Sequence, residues 1–205
     1  MIHAYDSRMV YSLQSKLAEM FEFATLDEHV DIDVFANKFA HSEIGKSFEH
    51  AGAKYALGKS SNELVSILLN VPVKQYETYE GASPEYWVGW VLCELQYYLN
   101  KSYVELLSVY PCSELLNMYF PYHEMDIMHL VDLYREKMNI KNIQALRKER
   151  NLSQNQLAVL SDIPVRTIKA YEQGTLDLSK AQGDTLYKLS KTLKCSIEDL
   201  LLNAN

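Results

Sequence analysis

Three side chains near the C-terminus, Arg166, Lys169 and Gln173, have the types and the spacing of a surface that binds nucleic acid. At about 100° per residue they share one face of a helix, and Ile168 and Tyr171 fall on the opposite face. A guanidinium, an ammonium and a carboxamide all donate hydrogen bonds, which suit phosphate oxygens and the edges of bases. The pattern therefore predicts an exposed cationic helix face.

The residues before this face predict a helix-turn-helix, in which a tight turn joins two short helices and leaves the second one on the surface. Ser153, with Gln156 three residues later, has the pattern of a capping box and begins the first of these helices. The predicted turn is Ser161–Ile163, with Ile163 as its apolar plug, and Pro164 opens the second helix. A helix held in this way fits the major groove of duplex DNA.

Three further helices complete a predicted module of about sixty residues. The first runs over Asn142–Arg150, ahead of the turn. A fourth is predicted to begin at a second capping box, Ser179 with Gln182, and a fifth begins at Ser196. Gly183 then lies inside the fourth helix, where a glycine weakens a helix by about 1 kcal/mol relative to alanine.

Three strings in this region, LRKERNLSQNQLA, TIKAYEQG and TLYKLSKTLKCSIEDLL, agree with one known pattern. On these residues Asn142–Leu201 resembles the phage-repressor type of helix-turn-helix, the Cro/repressor or XRE family. The resemblance covers about 60 of the 205 residues and implies a five-helix, lambda-repressor-like domain. The sequence departs from the family at Asp162, where a turn glycine is usual, and at Pro164, where a capping serine or threonine is usual.

The resemblance also implies roles for single positions. Residues that match DNA-contacting positions of the family are Gln154, Val165, Arg166, Lys169 and Ala170, and the helical wheel adds Thr167 and Gln173. Arg166 is the candidate for a bidentate contact with guanine, and Val165 could pack against a thymine methyl group. Arg147 and Glu172 match an ion pair that is structural in relatives, so we assign them to the fold.

Charge divides the chain near the start of this module. Residues 1–138 hold 10 Lys+Arg and 20 Asp+Glu, a net charge of −10, whereas residues 139–205 hold 10 and 7, a net charge of +3. Phosphate binding requires positive charge. We therefore predict two domains: an acidic, aromatic-rich helical domain over 1–138 for partner binding or dimerisation, and an XRE-type DNA-binding domain over 139–205.

The first 138 residues are predicted to be helical, which makes the whole chain all-α. Apolar residues at helical spacing predict helices over Met9–Phe21 and Ile32–Phe39. Capping serines predict that further helices begin at Ser60, Ser83 and Ser102, and a last helix is predicted to reach Met138. Thirteen of the fifteen tyrosines and both tryptophans precede residue 139. These aromatic residues have two interpretations: a core with partly buried tyrosines, or a binding surface, in which Tyr and Trp are enriched.

No catalytic, cofactor or metal site is predicted. Two Gly-Lys-Ser triplets, Gly45–Ser47 and Gly58–Ser60, lack the earlier glycine and the preceding strand of a phosphate-binding loop. His123 and His129 lack metal-ligand spacing, and no Cys-x-x-Cys pair exists. We expect a protein that is not an enzyme and that needs no cofactor.

The cysteines and the hydropathy indicate the cellular compartment. The three cysteines, Cys93, Cys112 and Cys195, are sparse and odd in number, which is typical of free thiols in a reducing compartment. The most apolar stretch, Tyr86–Leu99, is shorter than the roughly 20 residues of a membrane span and contains Glu94. We expect a cytoplasmic protein without a membrane segment.

These patterns together predict a sequence-specific regulator that binds double-stranded DNA, acts as a repressor, and binds its operator as a homodimer. The N-terminal domain would dimerise or bind a protein partner. The alternative is an antitoxin, because AKYALGKSSNEL and EYWVGWVLCELQYYLNKSYVELL resemble helical regions fused to such modules in toxin–antitoxin operons. In that case the N-terminal domain would neutralise a toxin, and the C-terminal domain would autoregulate the operon.

Overall fold

The structure, a computed structural model, describes residues 3–76, 82–138, 142–173 and 175–202. Within these ranges all regular structure is helical, and the predicted all-α class is confirmed. The residues group into two compact units, one over His3–Tyr134 and one that contains Arg135 and the residues after it. The predicted boundary between residues 138 and 139 stays a prediction, since residues 139–141 lie outside the described ranges.

Serine caps set the beginnings of several helices in the first part of the chain. Ser60 accepts a hydrogen bond from the backbone of Glu63, whose carboxylate accepts one from the backbone of Ser60, and the predicted capping box is confirmed. Ser83 caps a helix that has Pro84 in its first turn. The helices are α1 (Val10–Glu22), α2 (Ile32–Ala40), α3 (Glu43–Glu49), α4 (Ser61–Leu69), α5 (Pro84–Leu99), α6 (Tyr103–Val109), α7 (Cys112–Asn117), α8 (Tyr119–Tyr122) and α9 (Met128–Lys137).

Helices α1 and α5 pack closely against each other, and a glycine makes their approach possible. A Cβ atom on Gly89 would lie 2.6 Å from the carbonyl oxygen of Leu17 and 2.7 Å from the Cα of Ala18. Leu17 and Ala18 are fully buried at this crossing. Only a residue without a side chain allows the two backbones to come this close.

Aromatic side chains in this unit lie both in the core and on the surface, and a binding role for the exposed ones stays a prediction. Phe21 packs edge-on against Phe35 with ring centroids 5.1 Å apart, and Tyr103 is buried against Phe39 at 4.9 Å. These rings belong to the core. Tyr11, by contrast, is 73% exposed, so part of the aromatic content lies on the surface.

The second unit has an apolar core of its own, formed by five short helices as predicted. Its helices are α10 (Ile143–Glu149), α11 (Gln154–Ser161), α12 (Val165–Glu172), α13 (Gly183–Leu193) and α14 (Ile197–Leu202). The side chains at its centre are buried and apolar: Ile143, Leu146, Leu157, Ile163, Ile168, Tyr171, Leu178, Leu186, Leu189, Leu193 and Leu200. Burial of this set stabilises five helices that are each too short to persist alone in water.

Three sequence predictions in this unit are wrong or lie outside the described residues. The capping box at Ser179 does not form, because Ser179 lies in a 3₁₀ turn, Leu178–Lys180, and its hydroxyl donates to Asp177 at 2.7 Å. Gly183 is therefore the first residue of α13, not an interior one, and the predicted weakening does not apply. The predicted helix end at Gly174 lies outside the described residues.

The two glycines give a matched test of close packing. We expect Gly89→Ala to lower the unfolding free energy of its unit by about 2 kcal/mol, because the overpacked backbones of α1 and α5 must separate. Gly183→Ala meets no atom within 4 Å and should stabilise its unit by up to about 1 kcal/mol, because alanine restricts the unfolded chain more than glycine does. Hydrogen exchange of the full-length protein reports both units. Equal protection in α1 and α5 of wild type and Gly89→Ala would refute the constraint.

Candidate nucleic-acid interface

The turn between α11 and α12 is tight because Asp162 takes a left-handed conformation. Its φ is 52° and its ψ is 44°, a region that Asp and Asn tolerate better than most residues other than glycine. The backbone N–H of Ile163 then donates to the carbonyl of Ala158 at 3.1 Å, and the Ile163 side chain is buried as the predicted plug. Aspartate therefore takes the place of the usual turn glycine.

Helix α12 begins without a side-chain cap. Pro164 occupies the capping position and has no side-chain acceptor, so the backbone N–H groups of Val165 and Arg166 have no acceptor within the described part of the chain. The start of a helix carries a positive partial charge, and such N–H groups bind anions. The departure at Pro164 thus leaves the start of α12 open to a phosphate or a base edge.

The sides of α12 separate sharply by burial. Ile168 is 0% and Tyr171 is 7% exposed, and both belong to the core. Arg166, Lys169 and Gln173 are exposed, while Val165, Thr167 and Ala170 are half-buried at the margins. The six predicted contact residues after the turn therefore lie off the core face, although Gln173 caps the helix and is not within it.

The two cations of this outer face have no partner inside the described residues. Neither Arg166 nor Lys169 forms an ion pair or a side-chain hydrogen bond there. Other cations of the same unit are engaged: Lys188 lies 3.2 Å from Asp162 and 3.0 Å from Asp184. Lys148 and Lys194 are also exposed and form no ion pair in the described part of the chain, so Arg166 and Lys169 supply one part of the positive charge that is available to a ligand.

Arg147 and Glu172 join α10 to the end of α12. The Nε of Arg147 donates to one carboxylate oxygen of Glu172 at 2.7 Å, and its Nη2 donates to the other at 3.0 Å. The Nη1 donates to the backbone carbonyl of Leu152 at 2.6 Å, so all three nitrogens of the fork are used. The side chains are 9% and 2% exposed, which makes the pair a buried one.

Gln154 completes this cluster. Its Nε2 donates to Glu172 at 2.8 Å, so the carboxylate accepts from two side chains on two different helices. Burial alone would raise the pKa of Glu172, but the hydrogen bonds from Arg147 and Gln154 outweigh it and hold the pKa below its usual value. The carboxylate is therefore charged at neutral pH and accepts hydrogen bonds from both side chains.

The bond from Gln154 to Glu172 is a contact that the sequence reasoning missed. The sequence assigns Gln154 to DNA contact alone, because it follows the helix cap. In the structure the side chain is half-buried and joins α11 to the end of α12. The signal that could have found it is the neighbouring Arg147–Glu172 pair, whose carboxylate has acceptor sites beyond those that Arg147 uses.

A second cation of this unit also serves the fold. Arg150 donates from Nη1 to the carbonyl of Leu146 at 3.1 Å and from Nη2 to the carbonyl of Lys194 at 3.1 Å. These bonds satisfy carbonyls at the ends of two helices, α10 and α13. Charge alone would group Arg150 with the phosphate-binding residues, whereas the structure uses it to join helices.

The described residues also bear on the other predictions from the sequence, on metal ligands, membrane helices and cysteines. No group of three His, Cys, Asp or Glu residues there could hold a metal ion. The described helices also include none with the length and apolarity needed to cross a membrane. Cys93, Cys112 and Cys195 are free thiols.

The geometry defines a helix-turn-helix with an exposed, cationic second helix. In agreement with this, the helix-turn-helix family model matches residues 143–200, and the XRE-type resemblance of this region is confirmed. No curated protein and no solved structure matches the chain. The matched family is one of DNA-binding regulators, so the second unit is a helix-turn-helix domain of the DNA-binding class.

The buried ion pair yields a test of how α12 is held. Arg147→Leu would leave the Glu172 carboxylate buried without its main partner, and we expect a loss of about 3 kcal/mol in the unfolding free energy of this unit. The double variant Arg147→Leu, Glu172→Leu removes both charges and should recover more than half of that loss.

Hydrogen exchange of the amides in α10–α14 measures both variants, since the two tryptophans lie in α5 and do not report on this unit. Arg150→Leu is the comparison variant, because it also removes a structural arginine but leaves no buried carboxylate behind. A double variant as unstable as Arg147→Leu alone would contradict the account.

Proposed function

We propose that the protein is a sequence-specific transcriptional repressor that inserts α12 into the major groove of an operator. The observation that carries this proposal is the division of α12: Ile168 and Tyr171 are locked in the core, while Arg166 and Lys169 are exposed and without a partner in the described residues. Such a helix presents donors at a fixed orientation to base edges and phosphates.

Each predicted contact residue has a proposed role that follows from its position. Arg166, in the first turn of α12, reads a guanine through its guanidinium, and Val165 beside it packs against a thymine methyl. Lys169 and Gln173, one and two turns later, bind phosphate or a base edge, with Thr167 and Ala170 at the margin. Gln154 holds Glu172 and offers its backbone N–H, at the start of α11, to a phosphate.

The domain has a modest charge, and this supports binding as a homodimer. A net charge of +3 over residues 139–205 gives few phosphate contacts and hence weak affinity for one module. Two modules on two half-sites, about one helical turn of DNA apart, add their contacts and require a near-palindromic operator. We assign the dimer contacts or a protein partner to residues 1–138, and we place the protein in the cytoplasm with the DNA it binds.

The antitoxin remains a second candidate, favoured by one observation. The acidic N-terminal unit exposes large aromatic side chains, Tyr11 at 73% and Phe120 at 71%, and exposed aromatic residues are common at protein interfaces. If the protein is purified from its native host, co-purification of the product of a neighbouring gene at a fixed ratio favours the antitoxin. Operator binding by the isolated protein, without such a product, favours the plain repressor.

Selection from random DNA with the full-length protein tests the proposed function. We expect enrichment of a near-palindromic site. On that site Arg166→Ala should bind about 10- to 100-fold more weakly and lose preference at one base pair, because it removes a bidentate base contact worth about 1–3 kcal/mol. Gel-shift titration at one fixed salt concentration measures the affinity of each variant.

Lys46→Ala is the matched control, because Lys46 is also an exposed cation, it lies on α3 in the acidic unit, and its loss changes the net charge equally. Its affinity for the selected site should stay within about twofold of wild type. A selection that enriches no site, or an Arg166→Ala protein with unchanged affinity and preference, would overturn the proposed use of α12.

A further inference from the structure

The N-terminal unit contains a cavity whose walls combine aromatic rings and carboxylates. Its volume is about 300 Å³, and the residues that matter for its chemistry are Trp87, Trp90, Glu94, Tyr122, His123 and Asp126. None of the residues that line it is a lysine or an arginine. The cavity lies wholly within the unit His3–Tyr134, so it is not part of the helix-turn-helix.

Neighbouring rings hold the aromatic walls in place. Tyr119 contacts Trp87 edge-on with centroids 5.5 Å apart and stacks on His123 at 4.2 Å. On the other side Trp90 stacks on Tyr86 at 6.2 Å. The indole rings are half-buried, so a ligand would meet surfaces that are already ordered and partly dry.

One carboxylate of the cavity lies on the same helix face as the indoles. Glu94 follows Trp90 by four residues and Trp87 by seven on α5, which places the three side chains in one row. Burial raises the pKa of Glu94, and the nearby charge of Asp126 raises it further, against hydrogen bonds from Trp90 and Gln14. A cation in the cavity would stabilise the ionised form of Glu94, and no lysine or arginine lines the cavity to supply one.

The second carboxylate, Asp126, comes from the segment before α9. Its Oδ1 accepts a hydrogen bond from the backbone of Met128 at 2.8 Å, which fixes the side chain at the start of that helix. The imidazole of His123 is also oriented, with Nδ1 3.0 Å from the carbonyl oxygen of Tyr119. Two carboxylates and the rings of Trp87, Trp90 and Tyr122 thus line one cavity from separate parts of the chain.

We propose that this cavity binds an alkylammonium group, supplied either by a free amine or by a lysine side chain of a basic protein. The faces of tryptophan and tyrosine rings attract cations, and the attraction grows when water is excluded. The two carboxylates supply the countercharge that an ammonium needs when it leaves water. An anion would be repelled there, and a neutral apolar ligand would leave both carboxylates without compensation.

The size of the cavity agrees with this ligand. A volume of about 300 Å³ is at the low end for small-molecule sites and suits a butylammonium group or one lysine side chain. A metal ion is disfavoured on ligand grounds, because no three candidate ligands group together within the described residues. The inference is independent of DNA binding, so failure of either proposal leaves the other standing.

The full-length protein carries its own probe for this site. Its sequence has two tryptophans, and both line the cavity, so intrinsic fluorescence reports directly on occupancy. We expect n-butylammonium and the peptide Gly-Gly-Lys-Gly-Gly to change the fluorescence in a saturable way. The same peptide with an acetylated lysine keeps the stem and loses the charge, and it should bind at least about tenfold more weakly.

The two charged probes distinguish the sources of the ammonium. Similar affinity for butylammonium and the peptide indicates a site for a free amine, whereas tighter binding of the peptide indicates a lysine presented by a protein. Either result supports the proposal. Equal binding of the charged and the acetylated peptide, or no saturable change with any probe, would overturn it.

Two carboxylate variants test the same site without relying on one substitution. Each variant removes one countercharge: Glu94→Gln should weaken butylammonium binding about tenfold, and Asp126→Asn, at an exposed position, about threefold. Asp126→Asn keeps an oxygen that can cap α9, so it tests the site even if Glu94→Gln disturbs the fold. Glu114→Gln, an exposed carboxylate on α7 outside the cavity, is the control and should bind as wild type. Unchanged affinity in both cavity variants would contradict the assignment.

Discussion

The bond network centred on Glu172 is the constraint on which the helix-turn-helix depends. An eight-residue helix such as α12 does not persist alone in water, so its orientation has to come from outside it. Two apolar side chains, Ile168 and Tyr171, fix which side of α12 faces the core, but apolar packing is not directional. The fork of Arg147 and the amide of Gln154 supply direction, because both bind the carboxylate at the end of α12. One residue thereby ties α12 to both α10 and α11.

This arrangement explains why a domain with little net positive charge can still present a cationic surface. Several cations elsewhere in the domain have internal partners: Arg147 and Arg150 join helices, and Lys188 pairs with Asp162 and Asp184. Those on the outer side of α12 are left for a ligand. A count of charges over the sequence gives each cation the same weight and hides the difference. What matters for binding is the number of cations without an internal partner, together with the rigidity of the helix that carries them.

Much of the fold follows from local rules that the sequence displays, and the exceptions share a cause. Ser60 and Ser83 begin helices where predicted, because a capping serine interacts only with residues two or three positions later. Leu160 shows where spacing alone fails. Its spacing from Leu157 predicts an inward side chain, but the side chain is 62% exposed and lies outside the core face of α11. The Gln154–Glu172 contact and the aromatic cavity were missed for a different reason. Their partners, Glu172 for one and Asp126 with His123 for the other, are distant along the chain and meet only through tertiary packing.

The two halves of the chain have opposite electrostatic requirements. Residues 1–138, with a net charge of −10, repel phosphate and would lower the affinity of any complex in which they approached DNA. The acidity of this half is therefore better suited to a basic ligand than to DNA. A cationic ligand suits both the net charge of this half and the cavity beside Trp87 and Trp90. The negative charge would attract the ligand from a distance, and the rings and carboxylates would bind it in the cavity. On these proposals, the charge that disfavours contact between this half and DNA would also attract a basic ligand, so DNA and that ligand would bind different parts of the chain.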